Sequence, residues 1–277
     1  MGGNGCVGGY FLLILWRILV NDKTLKGMKF IKKPLSDFGD YVMLMGRTFT
    51  RPDRLRESFR CYLDELYKLG VSSILIVIVI SIFIGALITI QMQLNIMSPS
   101  LPRYTVGYSV REIVLLEFSS SIMALILAGK VGSNIASEIG TMRVSEQIDA
   151  MEVMGINSAN YIILPKIAAM VSYIPLLSAF SMITGLGGAY FVALFTDIMP
   201  MSTLTHGFQA YFKEHYIWYA LFKTLFFGYI ISSVSAYYGY SVKGGSRELG
   251  RASTNAVVVS SVLVLITDVL LTQIIMG

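Results

Sequence analysis

Between Lys68 and Arg103 the chain carries no charged side chain. Inside that interval residues 70–97 form one apolar run, longer than the roughly 20 residues a helix needs to cross a bilayer. Hydrocarbon offers backbone N–H and C=O groups no partner, so a spanning segment must satisfy them within itself, and here that means a helix. A soluble chain carries roughly a quarter charged residues. This one carries 14%, against 55% hydrophobic, and the deficit is gathered into further runs at 110–129, 167–195, 218–242 and 252–276. The expectation is an all-α integral membrane protein with five transmembrane helices.

The region before residue 70 is of another kind. Residues 10–20 are apolar around Arg17 but too short to span. They read as an interfacial or signal-like segment, or as lying ahead of a start at Met28. Over residues 34–69 Phe38, Val42, Leu44, Leu55, Phe59, Tyr62, Leu63 and Leu66 recur at helical intervals among Arg and Lys, with a break at Pro52. That pattern predicts amphipathic interfacial helices; a solvent-exposed helical hairpin is the alternative. The chain thus divides into an N-terminal cytoplasmic or interfacial segment, 1–69, and a transmembrane domain, 70–277.

Charge orients the spans. Residues 21–69 hold eleven Lys/Arg, and Lys130, Arg143, Lys166, Lys243, Arg247 and Arg251 fall on the same side of a five-span chain. The opposite side has Arg103, Arg111 and Lys213. Lys/Arg excess marks the cytoplasmic face, so the N-terminus is expected inside and the C-terminus outside. The net charge of +5 follows from that bias and does not call for nucleic acid. Cys6, Cys61, His206 and His215 have no metal-ligand spacing, and both histidines are expected in one outer loop. Neither a metal nor a cofactor is expected. There is no G-x-x-x-x-G-K-[ST] segment and no nucleophile elbow, zincin helix or kinase signature. If the chain moves anything with ATP, the motor is another chain.

Three groups of residues are candidates for function. The stretch from Ser137 to Pro165 is expected as a long cytoplasmic loop. Within it Glu146, Gln147 and Asp149 start a short helix whose apolar component is Met151, Val153, Met154 and Ile156. Such a helix either docks in a partner's groove or merely connects two spans. Glu117, Lys223 and Asp268 are ionisable groups within spans, which are expensive and usually face protein or a wet cavity. They form either a self-neutralising cluster or a polar patch beside a lipid headgroup, and both readings place them toward the interior. In the outer half of the first span Ile88, Gln91, Met92, Asn95 and Ile96 are candidates for acyl-chain contact, or for ordinary helix packing. Gly185, Gly187 and Gly188 suggest close helix approach.

Glu138-Ile139-Gly140-Thr141-Met142-Arg143, then Glu146-Gln147-Ile148-Asp149-Ala150-Met151 and Met154-Gly155, resemble the signature of the MlaE/YrbE permease family. Leu66-Tyr67, Gly70-Val71 and Phe83-Ile84-Gly85 resemble its first span. Ala128-Gly129-Lys130-Val131-Gly132-Ser133 resembles the exit of its second, and Arg251-Ala252-Ser253-Thr254 the opening of its last. The family often has Arg-Glu-Leu-Gly-Pro in the second span; here Leu116-Glu117-Phe118-Ser119-Ser120 keeps only the acid. The resemblance covers 66–277 and implies the permease subunit of an ABC system moving phospholipid between inner and outer membranes. It implies a homodimer in a bacterial inner membrane, a cytoplasmic ATPase subunit, a periplasmic MCE-domain protein and a small STAS-type subunit. It also makes the 137–165 loop a coupling helix, with Glu138, Glu146, Gln147, Asp149, Met151 and Gly155 as its residues. Rival readings are a membrane-embedded lipid-modifying enzyme and a non-transporting scaffold.

Overall fold

A computed structural model describes residues 36–50, 55–96, 102–196 and 199–276. The apolar segment at 10–20, the alternative start at Met28 and the break at Pro52 lie outside the described residues. The chain divides into two compact units, Met1–Arg47 and Thr48–Gly277. The described part of the first belongs to a helix over 36–48, α1, with Phe38, Val42 and Met43 exposed.

In the second unit every regular element among the described residues is helical. Five helices are long and apolar enough to cross a membrane: α2 (Arg56–Asn95), α3 (Tyr104–Val144), α5 (Ser158–Phe195), α7 (His215–Tyr240) and α8 (Ser246–Ile275). Two short helices, α4 (Gln147–Val153) and α6 (Met201–Gln209), connect them. The five expected spans are present, but their ends differ. α3 runs past residue 129 to Val144 and α5 begins at Ser158, so the connection shrinks from the expected 137–165 to 145–157. Polar residues such as Asn134 and Glu138 do not end the helix. α2 likewise runs from residue 56 through a π-helical turn at Leu66–Val71 into the first span. Its stretch Ser72–Asn95, 24 residues, is about 36 Å long at a rise of about 1.5 Å per residue.

The expected outer histidine loop is also partly helical. His206 lies on α6 and His215 opens α7. α6 lies on the start of α3 because Gly107 and Gly207 let the backbones meet: a Cβ on Gly207 would fall 2.4 Å from the Tyr104 carbonyl oxygen. Arg111 fastens this contact. Its guanidinium donates to the carbonyls of Phe208 (2.7 Å) and Ala210 (2.8 Å), near the end of α6, and meets Glu112 at 2.6 Å.

Lipid tails are as apolar as the helices, so packing in a membrane relies on close approach and polar links. α5 packs against both α2 and α7. At the α2 contact, a Cβ on Gly85 would sit 1.9 Å from the Gly185 carbonyl oxygen, and one on Gly188 would sit 2.1 Å from that of Ile82. Between them a chain of hydroxyls joins three spans, Ser81 to Ser181 at 2.9 Å and Ser181 to Ser119 at 3.3 Å. Two of the three glycines singled out in the sequence thus mark close approach, whereas Gly187 faces open space.

Gly85→Leu should separate α2 from α5 and lower the thermal midpoint of the purified protein, at a cost of about 1–3 kcal/mol or more. Gly187→Leu should leave it nearly unchanged. Equal midpoints for the two variants would contradict this packing.

Candidate functional site

The three ionisable residues within the spans are brought together. Lys223 is fully buried on α7, with its Nζ 2.5 Å from Asp268 Oδ1 of α8 and 3.8 Å from Glu117 Oε1 of α3. Thr272 Oγ1 accepts from Lys223 at 3.2 Å and from the Tyr219 hydroxyl at 2.9 Å, and the Tyr219 ring lies under the ammonium. Lys223 and Asp268 face the interior. The Glu117 side chain is 49% exposed, so within one chain it forms the open edge of the cluster. It lies in a π-helical stretch of α3, Ile113–Ile122, a backbone irregularity common at functional sites. Where the family pattern would put an arginine stands Leu116; here the cation beside the acid comes from another helix, as Lys223.

Residues 145–157 form a tightly specified connection. Glu146 adopts a left-handed backbone, φ 59°, turning the chain out of α3 into α4. α4 ends in a Schellman motif: Gly155 N–H donates to Glu152 O and Ile156 N–H to Met151 O, with Gly155 at φ 77°, a conformation glycine adopts without a Cβ clash. Asn157 then caps α5, accepting from the Asn160 N–H at 3.3 Å. Asp149 pairs with Arg143 of α3. Glu152 accepts from the Tyr240 hydroxyl at 2.7 Å and from Ser158 at 3.0 Å. Ile148 is buried, whereas Val153 and Met154 are 88% and 67% exposed; Gln147 is exposed and Met151 half-buried. Of the apolar component noted in the sequence, Val153, Met154 and Ile156 project outward and Met151 is half-buried; the inward anchor is Ile148, which lay outside that set.

Glu138 does not belong to that exposed surface. Its carboxylate lies 2.8 Å from Lys166 of α5 and 2.6 Å from Lys68 of α2, and Lys166 also meets Glu65 at 2.5 Å. The Lys166 side chain is 2% exposed. Four charges thus tie the ends of α2, α3 and α5 together. Lys166 and Arg111 are buried cations, whereas the sequence only counts them among the Lys/Arg on the two faces of the spans. The only signal for Lys166 was its place one residue after Pro165 in a run that continues apolar.

The first-span candidates are split. Ile88, Met92 and Ile96 pack toward a core of Val106, Val110, Val114, Ala189, Met199 and Leu204. Gln91 and Asn95 lie on the exposed side of α2. They do not form one patch within a single chain.

Lys166→Ala leaves the buried ends of Glu65 and Glu138 without that cation, and breaking such a pair from one side costs about 3–5 kcal/mol. Lys68, half exposed, should cost at most about 1 kcal/mol when replaced by alanine. Thermal unfolding in detergent should rank the variants accordingly, and an equal fall for Lys68→Ala would contradict the assignment. Glu65→Gln combined with Lys166→Met should recover part of the loss.

The family model described as Permease MlaE matches residues 62–274. A probable ABC transporter permease protein of Rickettsia bellii is 34% identical over 220 residues, 78% of this chain and 83% of the relative. A protein of the same description from Synechocystis is 28% identical over 225 residues, 81% of this chain and 85% of the relative. One from Pyropia yezoensis is 28% identical over 242 residues, 87% and 91% of the two chains. With five spans, a short helix fixed between the second and third, and a family match over most of its length, this chain belongs to the MlaE family of ABC transporter permeases.

Proposed function

We propose that the chain is the membrane subunit of an ATP-driven phospholipid transporter working between the inner and outer membranes of a bacterium. Two copies form the permease. A cytoplasmic ATPase docks on α4, a periplasmic MCE-domain protein on the opposite face, and a small STAS-type subunit on the cytoplasmic side. Residues 70–277 are the permease domain and 1–69 the interfacial segment, which suits the exposed Phe38, Val42, Phe59 and Leu63. The N-terminus lies in the cytoplasm.

The observation that carries the reading is the exposed Val153–Met154 pair on a helix fastened to α3, α5 and α7 through Asp149 and Glu152. An apolar tip on a rigid mount suits a groove in a moving partner, and the chain has no P-loop of its own. Glu138, Glu146, Gln147, Asp149, Met151 and Gly155 then serve coupling mainly by shaping and holding the mount. Glu117, Lys223 and Asp268 supply a polar edge for a lipid headgroup. Ile88 and Ile96, with Gln91 and Asn95 on the neighbouring face of α2, line the acyl path where two copies meet.

Met154→Asp with Val153→Asp should leave the permease folded but abolish co-purification of the ATPase, or uncouple ATP hydrolysis from lipid transfer between vesicles. Loss of an anchor of this kind costs about 2 kcal/mol or more, which corresponds to at least about tenfold in affinity. Full binding and full ATP-driven transfer in the double variant would remove α4 from the mechanism. Reporter fusions after residue 100 and after Gly244 should read outside and inside, from the Lys/Arg count; the reverse would overturn the orientation.

A further inference from the structure

A cavity of about 450 Å³ opens between α2, α3 and α8, lined by Leu69, Ser72, Lys130, Ser133, Asn134, Ser137, Ser253 and the apolar Val131. Its charge balance is one-sided. Lys68, Arg111, Arg143, Lys166, Lys223 and Arg251 each meet a carboxylate within 4 Å. Lys130 meets none among the described residues; its ammonium donates only to the Ser72 carbonyl oxygen. Among the described residues no carboxylate lines the cavity. Lys130, Asn134 and Ser137 follow one another at i, i+4 and i+7, on one stripe of α3. The Asn134 amide and the Ser137 hydroxyl make no hydrogen bond within the described residues, which leaves them free to donate outward.

Two further features fit. The backbone bordering the cavity is irregular on both sides, with π-helical turns at Leu66–Val71 and Ala128–Gly132, which widen the helix where Leu69 and Lys130 lie. Lys130 is also the first charged residue after the apolar run 110–129 that contains Glu117. A lone ammonium with an amide and a hydroxyl beside it is a donor set for phosphate, and Leu69 and Val131 give it an apolar floor.

We infer that this cavity is a phosphate-binding site, with Lys130 as the counter-charge and Asn134 and Ser137 as donors. It is separate from the Glu117–Lys223–Asp268 cluster and from α4. It extends the lipid reading by giving the Lys130 side of the membrane its own headgroup site, and it also accommodates phosphate free in solution.

The test reads Lys130 itself. The full chain in non-ionic detergent is treated with an amine acetylating reagent, and Lys130 modification is followed by mass spectrometry, with Lys213 and Lys243 as internal standards. Dihexanoyl phosphatidylglycerol, inorganic phosphate and uncharged dihexanoylglycerol are the three probes. Dihexanoyl phosphatidylglycerol should slow Lys130 acetylation about tenfold at saturation, the scale of one charge-assisted hydrogen bond, and leave the two standards unchanged. Asn134→Leu with Ser137→Ala should shift half-protection to about tenfold higher concentration on the same scale. Protection by inorganic phosphate at equal concentration identifies free phosphate as the ligand; protection by the phospholipid alone identifies the headgroup. No protection by either, or equal protection by dihexanoylglycerol, overturns the inference. So does protection unaffected by the double substitution. Since the readout is local, a chain that transfers lipid normally yet shows no protection at Lys130 overturns this site and leaves the transport reading standing.

Discussion

The structure depends on backbone contact between α2 and α5. In lipid no hydrophobic gain draws two apolar helices together, so the long apolar α2 has no reason of composition to sit in one place. Gly85 and Gly185 supply the reason by letting backbones touch, with Gly188 against Ile82 on the next turn. Once the helices are that close, Ser81 and Ser181 fall within hydrogen-bond distance, and Ser119 of α3 joins them. The remaining spans organise around this pair. Gly228 lies against Met170 and so brings α7 onto α5, and Gly239 lies against Ala136 and so brings it onto α3.

Charge acts on top of this frame in two ways. At one end of the bundle Lys166 lies between Glu65 and Glu138, so three helices share a buried ion cluster. A buried pair is a weak source of net stability, because desolvation offsets most of the Coulomb gain. It is a strong source of registry, because every misplaced arrangement leaves a charge alone. Within the spans Lys223 and Asp268 obey the same rule, buried and paired, while Glu117 remains half exposed. A carboxylate on an open edge in hydrocarbon is costly. That cost is the physical argument for a second chain, water or a headgroup beside α3 at that point.

The fold class was legible because it rests on composition over long runs, which no local choice can disguise. The five spans and the grouping of Glu117, Lys223 and Asp268 follow from the same scarcity: with so few charges inside, they must find one another. What the sequence hid was where helices end. Ser137 and Glu138 look like a loop when read as polar residues, yet they continue α3, with Glu138 satisfied by Lys68 and Lys166 of neighbouring helices. Lys166 was hidden for the same reason. Its carboxylate partners lie 101 and 28 residues away in sequence, and only packing reveals them. The division of Val153–Met154 from Ile148 was equally invisible, since on a helix of seven residues the periodicity is too short to fix a face.

The connection at 145–157 shows how a signature motif can act through shape. Of its named residues, Asp149 is taken up by Arg143, Glu146 by a left-handed turn and Gly155 by a helix stop. Little of the motif's polarity is left over for a partner. What it achieves is a short helix that has few ways to move independently of the spans on either side. A flexible loop would absorb a displacement at its tip by rotating its own backbone. A helix closed by a Schellman motif, rooted by buried Ile148 and tied to Tyr240 through Glu152, resists that rotation, so in the proposed coupling role a displacement at Val153 and Met154 would pass to the ends of α3, α5 and α7. Those are the helices that carry Glu117, Lys166 and Lys223. On the proposed docking of an ATPase at this tip, a push there would bear on both ion clusters.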